Sequence, residues 1–285
     1  MAISGKAILA GVMGWPVAHS LSPALHGHWL AQHGIDGAYL PLAVAPENFR
    51  DVLAAMPKMG FRGANVTVPH KEAALAGVAG ADDLARRIGA VNTIVFGGDG
   101  RAQGSNTDAF GFIENLKAGA PRWNPKAGPA VVLGAGGAAR AVVAALQDAG
   151  VPDIRLVNRT RDRADKVAAD LGAGITVDDW DRRADLLADA GLLVNTTTLG
   201  MTGKDALDLS LDRLPAGAVV NDIVYVPLET PLLAAARARG NATVDGLGML
   251  LHQARPGFHA WFGVMPEVTA DLRAAVLARL APARK

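Results

Sequence analysis

The chain has no cysteine, which removes disulfides, thiolate-ligated zinc and a thiol nucleophile together and fits a reducing compartment. Net charge is nearly absent. Its 28 basic residues stand against 27 acidic ones, a formal +1, so no strong field argues for nucleic acid or an anionic membrane surface as partner. Long apolar runs are missing too. The best candidate, residues 129–146, is interrupted by Gly134, Gly136, Gly137 and Arg140, whereas a membrane span needs about 18 or more uninterrupted apolar residues. The apolar stretch behind Lys6 is short, holds Gly11 and ends at Gly14 and Pro16 without a small-residue cleavage site. It is expected to be a buried first strand and not a targeting segment. These absences point to a soluble, cytoplasmic protein.

What the chain does have is apolar material for more than one core. Of its 285 residues 50% are hydrophobic, enough for two domains. Short β-branched runs at 6–13, 39–44, 62–68, 90–96, 130–133, 154–158, 189–195, 218–223 and 243–245 read as strands. Helical stretches alternate with them, among them 46–59, 82–88, 109–116, 231–239, one beginning near Leu247 and a last one at 266–280. Strands alternating with helices define an α/β fold. Residues 119–128, with Pro121 and Pro125, have the composition of a linker, and the pattern changes after them. The last helices are expected to return to the first domain. The expected domains are 1–108 with 246–285, and 109–245.

Chemistry-bearing side chains gather at the ends of the expected strands. The stretch Gly63-Ala64-Asn65-Val66-Thr67-Val68-Pro69-His70-Lys71 runs as a strand until Pro69, which cannot donate to a ladder. Asn65, Thr67 and Lys71 thereby bring amide, hydroxyl and ammonium to one rim of a sheet, where open α/β folds bind ligands. Earlier, Ser22 with Pro23 reads as a serine N-cap and a first-turn proline. Ser20 has no such capping task; two hydroxyls two residues apart on an extended segment suit a carboxylate or polyol. Asn92 and Thr93 lie inside the 90–96 strand, where buried polar groups need partners. Asp108 opens a helix, where a carboxylate also favours the macrodipole. Leu247, Leu250, Leu251 and Ala254 form one apolar helix face, and Gln253 is the polar candidate within that run. His26, His28 and His33 are expected on a helix surface and not as metal ligands, since no carboxylate cluster accompanies them, and His70 is given no role.

The second half carries a nucleotide signature. Ala130-Val131-Val132-Leu133 is followed by Gly134-Ala135-Gly136-Gly137-Ala138-Ala139 and an Ala/Val-rich helix, the strand–glycine turn–helix context of the dinucleotide fingerprint. Gly134 permits the tight turn, Gly136 lets backbone amides approach a pyrophosphate, and Ala139 allows close packing. An NAD site usually places an acidic residue about 20 residues further on. Here Asn158-Arg159-Thr160-Arg161-Asp162-Arg163 stands instead. Arg159, with Arg163, suits a 2′-phosphate, so NADP(H) is the expected cofactor.

Taken together these motifs resemble the shikimate dehydrogenase family over nearly the whole chain. The resemblance is carried by Ser20-Leu21-Ser22-Pro23, Asn65 to Lys71, Ala90 to Thr93, Gly104 to Asp108, Gly134 to Arg140, Asn158 to Thr160, Asn195 to Thr197 and Gly246 to Gln253. It implies an N-terminal α/β substrate-binding domain, a Rossmann-type NADP-binding domain, and C-terminal helices packing back on the first domain. The implied reaction is reversible NADPH-dependent reduction of 3-dehydroshikimate to shikimate, in the pathway to chorismate and aromatic amino acids. Ser20, Ser22, Asn65, Thr67, Asn92, Asp108 and Gln253 would hold substrate, with Tyr225 at the cleft and Lys71 and Asp108 as the catalytic pair. Gly134, Ala135, Gly136, Gly137, Ala138, Asn158, Arg159, Thr160, Arg163, Thr196, Ile223 and Gly246 would hold the cofactor. Thr198 departs mildly from the family's usual serine but keeps a hydroxyl. Two other readings stay open: a catabolic quinate/shikimate dehydrogenase using NAD, and a silent NADP-binding paralogue. No metal, nucleic-acid or membrane partner is expected, and a homodimer is allowed for.

Overall fold

A computed structural model describes residues 3–280. They divide into two compact units, one running to Thr107 and resuming at Gln253, the other spanning Asp108–His252. The first begins with β1 (Ile8–Gly14), α1 (Ser22–Gln32), β2 (Gly37–Ala43), α2 (Phe49–Ala55) and β3 (Phe61–Val66). It continues with α3 (Lys71–Gly77), β4 (Gly80–Ala81), α4 (Asp83–Ile88), β5 (Thr93–Phe96) and β6 (Ala102–Ser105). The sheet order is β2-β1-β3-β5-β6-β4. β1 runs parallel to β2 and β3, and β5 is antiparallel to β3 and β6. Met13, Phe49, Met56, Val66 and Ile94 are buried together beneath it.

The strand expected at 189–195 begins only at Leu192 and the helix expected at 266–280 is confined to Ala270–Leu277; three other elements differ for a local reason. The helix expected at 46–59 is a short α2 between two 3₁₀ turns, Pro46–Asn48 and Met56–Met59; Pro57, lacking an N–H, cannot continue the α-helical ladder. β3 stops at Val66 because the next residues close a turn, with His70 N–H donating to Thr67 O at 2.9 Å. β5 starts only at Thr93, since the N–H groups of Ala90 and Val91 are taken by Ala85 O (3.1 Å) and Lys71 O (3.0 Å).

The second unit contains α5 (Asp108–Gly119), β7 (Ala130–Leu133), α6 (Gly137–Asp148), β8 (Ile154–Val157), α7 (Arg161–Leu171) and β9 (Ile175–Asp178). It goes on through β10 (Leu192–Asn195), β11 (Val219–Asp222), α8 (Pro231–Ala238) and β12 (Ala242–Val244). All five pairings are parallel, in the order β12-β11-β10-β7-β8-β9. The order reverses between β7 and β10, the doubly wound arrangement whose switch point receives ligands at the carboxyl ends of the strands. Central strands of such sheets are covered on both faces and read as unbroken apolar runs; all four residues of β7 are buried.

The chain leaves this unit within α9 (Leu247–Phe262), and α10 (Ala270–Leu277) follows in the first unit. Trp261 Nε1 donates to Ile94 O at 2.9 Å and Trp29 Nε1 to Glu267 O at 3.1 Å. Between them Phe258, wholly buried, meets Trp29 edge-on at 5.3 Å. Gly63 in β3 is a close-approach glycine, since a Cβ there would collide with Trp261 and with Ile94 O. The C-terminal helices therefore pack back on the first unit, as the sequence suggested. Among the described residues no helix is long and apolar enough to cross a membrane.

Candidate active site

The first unit concentrates polar side chains at the carboxyl ends of β1 and β3. Ser20 and Ser22 exchange the parts expected of them. Ser20 Oγ accepts the Ser22 N–H at 3.3 Å, so Ser20 tends the start of α1. Ser22 is the first helical residue, makes no capping bond and is buried. Its hydroxyl lies against that of Tyr39, whose pKa is raised by burial and held back in part by this contact.

Asn65, expected to touch substrate, makes three hydrogen bonds inside the protein. Oδ1 accepts from Tyr39 Oη at 2.6 Å, while Nδ2 donates to Asn92 O (3.1 Å) and Thr93 Oγ1 (3.0 Å). Asn92 comes next. Its Oδ1 accepts from Thr107 N–H at 2.9 Å and from Thr93 Oγ1 at 3.0 Å. Gln253, from α9, brings Oε1 to 3.5 Å from both Asn92 Nδ2 and Thr107 Oγ1. The structure thus unites Asn65, Asn92 and Gln253. It adds Tyr39 and Thr107, whose partners Asn65 and Asn92 stand 26 and 15 residues away in sequence, and gives Thr93 its expected partners in Asn92 and Asn65.

Lys71 is the half-buried first residue of α3, its carbonyl held by Val91 N–H. The turn before it is anchored by His70, which the sequence left without a role. His70 Nε2 donates to Val44 O at 2.7 Å, and its ring stacks on Phe49 at 4.7 Å. Thr67 is half-buried and ties β3 to β1, its N–H donating to Met13 O at 2.9 Å. His26 was expected on a helix surface and is instead fully buried, stacked on Tyr39 at 3.9 Å. Burial lowers its pKa to about 3, only partly offset by the nearby Asn65 amide, so the ring is neutral. In the second unit Asp108 opens α5, and Tyr225 lies in the segment after β11, its pKa raised by burial.

The second unit offers a nucleotide cradle at its switch point. Gly134 has φ +107°, a region L side chains rarely adopt, and a Cβ there would approach Thr196 Oγ1 to 2.6 Å. Gly136 is the N-cap of α6 with no side-chain capping bond. A Cβ on Gly136 or Gly137 would meet nothing within 4 Å, so there is open space beside this first turn. Uncapped helix N-termini bind phosphate. Ala135 and Ala138 flank them half-buried, and Ala139 is fully buried, permitting close packing.

Beyond β8, Asn158 Nδ2 donates to Thr160 O at 2.7 Å and fixes the loop that carries Arg159. The three arginines are not equivalent. Arg161 is engaged by Asp179 at 2.6 Å and by Asp165 at 3.7 Å. Among the described residues Arg159 and Arg163 are exposed and have no ion-pair partner. These groups fit a 2′-phosphorylated dinucleotide: uncapped amides for a pyrophosphate and two available guanidinium groups for the extra phosphate. Thr196 spends its hydroxyl on Leu133 O at 2.7 Å, shaping the loop beside Gly134. Ile223 and Gly246 touch through backbone, where any Cβ on Gly246 would strike the Ile223 carbonyl.

A buried carboxylate that sequence reasoning passed over ties these loops together. Asp222, at the end of β11, accepts from Asn195 Nδ2 (3.0 Å), Val224 N–H (3.0 Å) and Thr230 Oγ1 (2.7 Å). Burial pushes its pKa up from 3.8 to about 6, against the pull of those three donors.

Sheet order, glycine turn and arginine loop place the chain in the class of two-unit α/β proteins whose second unit has dinucleotide-binding architecture. Residues 12–94 match the shikimate dehydrogenase substrate binding domain, and residues 122–201 match shikimate / quinate 5-dehydrogenase. Shikimate dehydrogenase (NADP(+)) of Paramagnetospirillum magneticum is 68% identical over 275 residues, covering 96% of this chain and 100% of that protein. The enzyme of the same name from Rhodospirillum rubrum is 63% identical, covering 97% and 99%. Among solved structures, shikimate 5-dehydrogenase from Thermus thermophilus, in complex with NADP(H) and shikimate, superposes with TM-score 0.85 at 39% identity, covering 95% of this chain and 99% of that one. Quinate dehydrogenase from Corynebacterium glutamicum, in complex with NAD, gives TM-score 0.89 at 31% identity, with 95% and 99% covered. The chain belongs to the shikimate dehydrogenase family.

Proposed function

We propose that this protein is an NADP-dependent shikimate dehydrogenase, reducing 3-dehydroshikimate reversibly to shikimate. The observation that carries the reading is the 68% identity, over nearly the full length, to a shikimate dehydrogenase (NADP(+)). The first unit would bind substrate and the second NADP(H). Bound NADP(H) supplies or accepts the hydride, so the protein has to position the reactants and handle one proton. Lys71 would donate that proton to the reduced carbonyl oxygen, or hold the developing alkoxide, and Asp108 would orient the ammonium and ring hydroxyls. Ser20, Ser22, Thr67, Asn92, Tyr225 and Gln253 would hold carboxylate and hydroxyls. The α6 amides would take the pyrophosphate and Arg159 with Arg163 the 2′-phosphate. Asn158-Arg159-Thr160 lacks the acidic residue an NAD ribose needs, which weighs against the NAD-linked quinate reading despite the quinate dehydrogenase superposition. A cytoplasmic location, with no nucleic-acid or membrane partner, accompanies the reading; sedimentation equilibrium distinguishes monomer from homodimer.

The test is steady-state kinetics of Lys71→Met. Removing the ammonium should lower turnover by about 10²- to 10⁴-fold, with the KM for shikimate moving far less. NADP binding and circular dichroism should stay at wild-type values. A folded, NADP-binding Lys71→Met protein with near-wild-type turnover overturns the assignment.

A further inference from the structure

Among the described residues Asp222 is the one carboxylate with 0% exposure, and it has no cationic partner. Buried charges are ordinarily paired with an opposite charge or a metal. Asp222 has neutral donors instead: Asn195 Nδ2, Val224 N–H and Thr230 Oγ1. These satisfy its oxygens and leave its charge uncancelled. With a pKa pushed up to about 6, the group is ionised at pH 8 and mostly neutral at pH 5.5. The charged side chains on neighbouring elements lie outside this set of contacts. Lys204 and Asp205, after β10, are exposed, and Glu229 and Arg237 pair with each other at the surface of α8. Asp245, after β12, is half-buried and accepts Leu247 N–H at 3.0 Å.

Asp222 is also the last residue of β11, at the carboxyl rim where a doubly wound sheet takes its ligand. β7 lies between β8 and β10. On the β8 side stand Arg159 and Arg163, suited to the phosphate on the adenosine ribose. The uncapped start of α6, after β7, suits the pyrophosphate. A dinucleotide laid across this rim in that order brings its nicotinamide half to the ends of β10 and β11. Oxidised nicotinamide is a cation and reduced nicotinamide is neutral, while the phosphates are the same in both forms.

We propose that Asp222 is a specificity-determining residue for the redox state of the cofactor: its buried charge, uncancelled by any cation, favours the oxidised nicotinamide over the reduced one. This rests on the reading of the second unit as the NADP(H)-binding part. A charge acting through protein interior is screened far less than one in water, so Asp222 need not touch the ring to be felt there.

Calorimetric titration of oxidised NADP and of NADPH, without substrate, tests the proposal through the ratio of the two affinities, from which the phosphate contacts cancel. At pH 8 Asp222→Asn, which keeps the shape and removes the charge, should weaken oxidised NADP about fivefold relative to NADPH. Thr230→Val loosens the same junction but leaves the charge, and its ratio should stay at the wild-type value. In wild type the preference for the oxidised form should drop about two- to threefold from pH 8 to pH 5.5, as Asp222 takes up its proton. In Asp222→Asn the ratio should not move with pH. An unchanged ratio in Asp222→Asn overturns the proposal while leaving NADP binding and the proposed reaction intact. So does a Thr230→Val ratio displaced as far as that of Asp222→Asn, which would mark loop geometry and not charge as the cause. Should Asp222→Asn fail to fold, the wild-type pH dependence decides, and a ratio equal at both pH values overturns the proposal. A protein that binds neither form overturns the reading of the second unit, and this inference with it.

Discussion

Asp222 makes the stability of this protein depend on pH in a direction opposite to that of most carboxylates. Its carboxyl is wholly buried, and its pKa rises from 3.8 to about 6. The folded state therefore holds a proton that the unfolded chain has already released between about pH 4 and 6. Where the folded state binds more protons, stability falls as pH rises, so this contribution is present below about pH 4 and lost as pH climbs through 6. The shift of about two units corresponds to roughly 3 kcal/mol at 1.36 kcal/mol per unit, of which about 2 kcal/mol falls between pH 4 and 7. The geometry says where the proton sits. Oδ1 faces two obligate donors, Asn195 Nδ2 and Val224 N–H, whereas Oδ2 faces Thr230 Oγ1, which can turn from donor to acceptor. Asp222→Asn reproduces that neutral form, with its NH₂ toward Thr230 and no titration. Urea unfolding of both proteins at pH 4, 5, 6 and 7 isolates the effect, because the other carboxylates titrate equally in each. The stability of wild type minus that of Asp222→Asn should fall by about 2 kcal/mol from pH 4 to 7. Parallel pH curves for the two would refute the reasoning.

Three further predictions concern single side chains. Arg159→Ala should weaken NADP by about thirtyfold, on the order of 2 kcal/mol for a lost charge-assisted pair, while NAD affinity stays put. Arg161→Ala should leave both cofactors alone because its guanidinium is engaged by Asp179 and Asp165; calorimetric titration reads all four affinities. Phe258→Ala empties the place where α9 meets Trp29 and His26. It should cost about 3–5 kcal/mol of stability by urea unfolding.

The second unit was largely legible in the sequence because its signals are local. A buried apolar strand, a glycine turn and a helix follow one another within Ala130–Asp148, and the structure keeps them in that order. The arginines after β8 were legible as a group, but which of them is available was not. That depends on Asp179 lying beside Arg161, a contact made across the fold. The first unit gave up its strands less readily. β6, Ala-Gln-Gly-Ser, has neither alternation nor β-branched residues; in the second unit β9 was not among the expected strands. Ser22 was read by the Ser-Pro rule for helix starts, which misplaced the N-cap by one residue, since Leu21 holds that position. His26 was assigned to the surface by residue type, although Leu25, Trp29 and Leu30 around it are all buried. Tyr39 was invisible as part of the site because its partner stands 26 residues away on another strand.

The central claim is that this chain oxidises shikimate with NADP, and initial rates of the purified protein test it most directly. Shikimate and quinate are each paired with NADP and with NAD, and reduced cofactor is followed by absorbance. Shikimate with NADP should give the highest kcat/KM of the four, with the NAD reactions weaker for want of the 2′-phosphate that Arg159 and Arg163 are proposed to hold. A protein that turns over quinate with NAD faster, or binds NADP and turns over none of the four pairs, would contradict the account.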